Sequence, residues 1–170
     1  MAIIKSINGI SPKIGKNVFL AENAVIIGDV VIGDNCSVWY GAVIRGDVNI
    51  IRIGDNVNIQ DNAVIHATYK KNGTFIGNSV SIAHGAIVHA CEIKDNVLVG
   101  MNAVVLDAAI VESNSIIAAG AVVPKKMIVT SASLVAGIPA KKIKDIDENL
   151  LNGEINRIAE SYNLYASWYK

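Results

Sequence analysis

Aromatic side chains are scarce in this chain: two Phe, two Trp and five Tyr, nine in 170 residues. That scarcity argues against a helical bundle built on Leu and Phe and favours a core of stacked aliphatic layers, since Val, Ile and Ala abound. Charge of either sign is not in excess. Fifteen Lys and Arg face fifteen Asp and Glu, and the lysine pairs Lys125-Lys126 and Lys141-Lys142 are isolated, so nucleic acid and anionic membrane are not expected partners. No apolar run is long enough to cross a bilayer, and Met1-Ala2-Ile3-Ile4-Lys5 lacks a basic leader followed by a sustained apolar segment. A cytoplasmic location is therefore expected. The two cysteines, Cys36 and Cys91, lie far apart and form no CxxC motif, which suits reduced thiols better than a disulfide framework.

What is present is a six-residue rhythm. An aliphatic residue recurs at Ile14, Leu20, Ile26, Ile32, Val38 and Ile44, then at Ile53, Ile59 and Ile65, at Ile76, Ile82 and Val88, and on through Ile93, Val99, Val105, Val111, Ile117 and Val123. Two residues before many of them stands a small or β-branched residue, such as Ala24, Cys36, Ala63 or Ala86. This local alternation is that of a strand. Turn clusters separate the pieces, among them Gly15-Lys16-Asn17, Gly33-Asp34-Asn35 and Gly54-Asp55-Asn56. Three short strands and three corners close a triangular coil, and stacked coils pair as parallel strands about 4.8 Å apart. Grouped in threes, the rhythm predicts six coils of a parallel β-helix, and it resembles the left-handed β-helix family, from which the hand is taken.

The phase slips at Val48-Asn49-Ile50 and at the loop Thr68–Thr74, where extra residues are extruded from the solenoid. After Val123 the pattern decays, and Gly137-Ile138-Pro139 reads as the exit from the last coil. Asp147 then caps a helix whose apolar residues Leu151, Ile155, Ile158, Tyr162, Tyr165 and Tyr169 recur by four and three. The expected fold is mainly β, a β-helix over 1–146 with a C-terminal α-helix over 147–170 packed on it in the same domain.

All three histidines, His66, His84 and His89, fall between Ile65 and Cys91. Three imidazoles are a familiar zinc set that leaves a fourth position for water, although iron or cobalt also suit imidazole. Position within the coil sorts the side chains into columns. His66 follows Ile65 by one and His89 follows Val88 by one, so they stack, with Arg45 in the same slot a coil lower. His84, two after Ile82, lies above Asp61, two after Ile59. Along an extended side His84 and His89 are about 16 Å apart, too far for one ion. A zinc site would need a ligand from another subunit, and a triangular prism offers corners for a threefold ring.

Arg45-Gly46-Asp47, Gln60-Asp61, His66 and His84-Gly85-Ala86-Ile87-Val88-His89, with the terminal amphipathic helix, resemble the gamma-class carbonic anhydrase family over nearly the whole chain. The resemblance implies a homotrimer that hydrates carbon dioxide to bicarbonate, with zinc held by His66 and His89 of one subunit and His84 of the next. It also implies interface roles for Arg45, Asp47 and Asp61, with Gln60 near the hydroxide and Tyr162 brought toward the site by the helix. Where active members carry a glutamate after the Arg-x-Asp motif, Val48 stands here, and the Thr68–Thr74 loop has no carboxylate; slow proton export is expected. The competing readings are an acyltransferase on the same solenoid, using one histidine as general base and acyl-CoA as donor, and a non-catalytic trimeric scaffold that keeps the metal.

Overall fold

The computed structural model describes residues 1–169. Aliphatic residues spaced by six meet only residues of their own column, and the register shows it. On the first side Ile14, Ile32, Ile53, Ile76, Ile93, Val111 and Val129 lie in line. Leu20, Val38, Ile59, Ile82, Val99, Ile117 and Val135 do so on the second, and Ile26, Ile44, Ile65, Val88, Val105 and Val123 on the third. Every one of these residues from Ile26 to Val135 is buried, so the interior is a stack of aliphatic layers, each removing about 25 cal/mol of unfavourable hydration per Å² of apolar surface.

The corners follow from the same spacing. Asn17, Asn35, Asn56, Asn96 and Asn114 all adopt φ between 55° and 60° at one edge of the prism, a left-handed conformation that asparagine tolerates better than most residues. Between the third and first sides the chain turns at Gly28, φ 74°, where an added Cβ would collide with the Gly46 carbonyl one coil above. Opposite this turn the register shifts: Gly28 pairs with Gly46 but Val30 with Ile51. The intervening Asp47–Ile50 segment is therefore extruded, as the slip in phase predicts.

Two features depart from the sequence expectation. The ladders do not end at Val123 but continue through Val129 and Val135. Strand Lys141–Asp145 then turns back antiparallel on Ser133–Ala136, covering the open edge that a parallel solenoid would otherwise leave. The terminal helix begins as expected, with Asp147 Oδ1 accepting from Leu150 N–H at 2.8 Å, but Leu151–Asn156 is wound as a π-helix before Arg157–Ser167 resumes as α. Ile155 is buried against Leu98 and Ile116, while Tyr162 and Tyr165 pack on the main core. The helix thus lies along the second side and shields its outward polar ladder, in which Asn58 donates to Ser81 Oγ at 2.7 Å. No helix among the described residues is long and apolar enough to cross a membrane.

Candidate active site

Stacking at consecutive coils places His66 directly opposite His89, and their rings face each other with His66 Nδ1 3.2 Å from His89 Nε2. Each ring has a carboxylate on its far nitrogen. Asp47, on the extruded segment, lies 3.1 Å from His66 Nε2, and Asp107 lies 3.0 Å from His89 Nδ1. Arg45 pairs with the other oxygen of Asp47, and Thr68 Oγ1 donates to the other oxygen of Asp107 at 2.6 Å. The result is one continuous polar row, from Arg45 to Thr68, along the edge where the third side meets its corner.

The proton inventory of this row determines its chemistry. Ionised carboxylates only accept, so His66 Nε2 and His89 Nδ1 carry the hydrogens directed at Asp47 and Asp107. In neutral rings the two facing nitrogens are then both lone pairs at 3.2 Å, an arrangement relieved by any proton placed between them. Burial lowers the His66 pKa below its ordinary value, against the opposing pull of Asp47. The ring therefore stands mainly neutral at pH 7. For Asp47, burial works against ionisation, but the hydrogen bonds from Arg45 and His66 outweigh it and hold the carboxyl below its usual value. Asp107 is lowered first by the Thr68 hydroxyl and then, against burial, by His89. The pair is a base with both rings oriented by anions.

His84 belongs to a different column and lies elsewhere. Its Nδ1 is 2.9 Å from Asp61 Oδ2, and its Nε2 is 3.3 Å from the Tyr162 hydroxyl. Asp61 orients this ring rather than pairing with an arginine, and Tyr162 both packs on the core and reaches His84. Burial, with Asp61 nearby, pushes the Tyr162 pKa up to about 12, so its hydroxyl stays protonated. Gln60 is buried beneath the helix, where it donates to Asn58 Oδ1 at 2.9 Å; its amide is committed to that ladder. The expectation of zinc, or of iron or cobalt, is corrected here. No group of three or more His, Cys, Asp or Glu side chains among the described residues is arranged to hold a metal ion. A solenoid gathers residues of one column, and only two of the three histidines share one.

Asp107 is the residue that inspection of the histidine stretch misses. It was legible in principle: it stands two after Val105, one coil above His89 and beside its column. A cavity of about 440 Å³ opens past the corner at Ala90, and none of His66, His89, Asp47 and Asp107 lines it. Its lining includes Ala90, next after His89, together with Asn49, Ile50, Lys71, Phe75 and Ile110. The two extruded segments thus form one wall of a partly apolar recess that carries a cation, Lys71, and a carboxylate, Glu92.

Comparison with known proteins bears on which chemistry this is. A family model, bacterial transferase hexapeptide (six repeats), matches residues 11–46 and 90–125. The chain is 40% identical over 158 residues, 89% of its length, to gamma carbonic anhydrase 2, mitochondrial, of Arabidopsis thaliana. It spans only 56–58% of the length of the first curated relatives it matches. Among solved structures, a hexapeptide transferase family protein from Anaplasma phagocytophilum superposes with a TM-score of 0.94 at 41% identity, covering 99% of this chain and 98% of that one. A protein from Bacillus cereus provisionally named an acetyltransferase gives 0.95 at 33%, covering 99% and 96%. These transferase names, with the two-histidine geometry, also correct the expected classification as a zinc-binding carbonic anhydrase lyase.

Proposed function

Since the chain belongs to the hexapeptide-repeat family of left-handed β-helix proteins, we propose that it is an acyltransferase that takes its acyl group from a coenzyme A thioester. The observation that carries this reading is the His66–His89 base, anchored by Asp47 and Asp107, with a partly apolar recess next to it in the chain from Ala90 onward and Lys71 in that recess's wall. The acceptor's hydroxyl or amine gives its proton to a facing imidazole nitrogen as its heteroatom attacks the thioester carbonyl. The tetrahedral adduct then collapses, the carbon–sulfur bond breaks, and the imidazolium returns the proton to the departing thiolate. Apolar residues Ile50, Phe75 and Ile110 accommodate the acyl chain, and Lys71 offers a cation to the anionic donor. A positioned general base of this kind contributes about 10²- to 10⁴-fold.

The proposal includes a homotrimer. Outward-facing Ile3, Val25, Val43, Val64, Ile87, Val104 and Val122 form one aliphatic stripe along the third side, with Ile87 39% exposed. In a threefold ring the stripes of three copies face the common axis and cover one another.

A second reading, hydration of carbon dioxide, is favoured by the likeness to the Arabidopsis protein. There the same base would take a proton from water. Thiol release from acetyl-CoA, measured against a panel of hydroxyl and amine acceptors, decides between them alongside stopped-flow hydration on the same sample. Acceptor-dependent thiol release that is lost in His66→Ala and His89→Ala is the expected result. Hydration without thiol release would replace the acyltransferase reading with the second, and neither activity would leave a scaffold.

A further inference from the structure

Six of the nine aromatic residues converge on one cleft away from the His66–His89 pair. The column two residues after the second-side aliphatics stacks Tyr40, Asp61 and His84, as the backbone bonds from Asn62 to Tyr40 and from Gly85 to Asp61 show. The terminal helix returns along that side and sets Tyr162, Tyr165, Trp168 and Tyr169 against Trp39 and Tyr40. These six enclose, with Asp61, a cavity of about 240 Å³. The rings are not stacked flat on one another. Trp39 meets Tyr162 at 83° and Tyr169 at 87°, with centroids 5.3 and 5.6 Å apart, and Tyr162 meets Tyr165 at 65°. Neighbouring rings thus stand as differently facing walls.

The outer rings have aromatic partners, Trp168 on Tyr165 and Tyr169 on Phe19, Trp39 and Tyr40, but those contacts do not cover them. Trp168 is 67% exposed and Tyr169 55%, so large apolar rings are left against water at the end of a helix already anchored by Ile155. Asp61 brings a carboxylate to the lining. Asp61 engages His84 through Oδ2 only. Its negative field reaches Tyr40, whose pKa is raised first by burial, then by Glu22 and Tyr169 and, more weakly, by Asp61. Phenol and indole faces attract cations by their quadrupole, and an anion beside them adds a Coulomb attraction. A cavity smaller than the roughly 300–1,000 Å³ of drug-sized sites suits one compact head group.

We propose that this cleft is a binding site for an organic ammonium ion, with quaternary ammonium the best-fitting class, held over Trp39, Tyr40 and Trp168 and neutralised by Asp61. The site is separate from the acid–base row, and the proposal stands whichever reaction that row carries out.

Both tryptophans of the chain line the cleft, so intrinsic fluorescence reports occupancy directly. Tetramethylammonium and choline, titrated into the assembled full-length protein, should change tryptophan emission saturably, with matching heat in calorimetry. The neutral choline isostere 3,3-dimethylbutanol should bind at least about tenfold more weakly, because it lacks the charge that the faces and Asp61 recognise. Asp61→Asn and Trp168→Ala should each weaken tetramethylammonium about tenfold or more. Trp168 is mostly exposed, so its variant keeps the fold and decides the question if Asp61→Asn is unstable. No saturable signal by either method up to about 10 mM ligand, or equal binding of the neutral isostere, would overturn the proposal.

Discussion

Asp107 orients His89 by accepting from Nδ1, and so determines which nitrogen is free to face His66. Asp107→Asn can present an N–H to the same nitrogen and reverse the tautomer, placing a hydrogen where a base is required. Its thiol-release rate should fall by about 10²-fold or more with the circular dichroism spectrum unchanged. Asp107 and Asp47 also make a pH prediction. Both have folded pKa values below the ordinary 3.8, so under acid the unfolded chain binds more protons than the folded one. Their contribution is complete above 3.8 and is lost as pH falls toward the folded values. Urea midpoints measured down the acid limb should therefore fall less steeply in Asp107→Asn than in the parent protein. The stacking of His66 on His89 and of His84 over Asp61 was legible from the repeat phase alone. The place of Asp107 beside that column follows from the same phase, but the approach of Thr68 to it does not, because it depends on how the extruded Thr68–Thr74 loop folds back over the next coil.

At the scale of elements, the corners and the terminal helix are the places where local chemistry can be tested. Gly28→Ala adds a Cβ to a residue at φ 74° and drives it into the Gly46 carbonyl. Since Ala at positive φ costs more than about 1 kcal/mol and the backbone contact adds to it, a drop in urea midpoint larger than that is expected. Asp147→Ala removes the cap bond to Leu150 N–H, worth about 1 kcal/mol. That loss should appear as faster amide exchange across Arg157–Ser167, while exchange in the coils stays unchanged. If the coils loosen equally, the helix and solenoid unfold as one unit. The start of this helix could be read from Asp147 and the four-three apolar spacing. Its π-wound first turns could not, since the apolar spacing across Leu151–Asn156 is equally compatible with α, and burying Ile155 between Leu98 and Ile116 is a tertiary demand.

For the whole molecule, the outward stripe on the third side is the surface that an assembly must bury. Ile87→Glu sets a charge in its middle, at a coil that the inward Val88 still holds together. Light scattering should then show a smaller species than the parent, with far-UV circular dichroism preserved. An unchanged mass would place any interface elsewhere. How the chain divides between what is local and what is not follows from the solenoid itself. Six-residue periodicity determined the aliphatic ladders, the corner asparagines and the columns of the histidines, because in a repeat each residue's neighbours are those one coil away in sequence. The tertiary structure alone decided the rest. It turned Lys141–Asp145 back over the open edge and closed an aromatic cleft by returning the helix along the second side. Those outcomes depend on loops and the helix folding across coils, where phase carries no information and the burial of surface selects the arrangement.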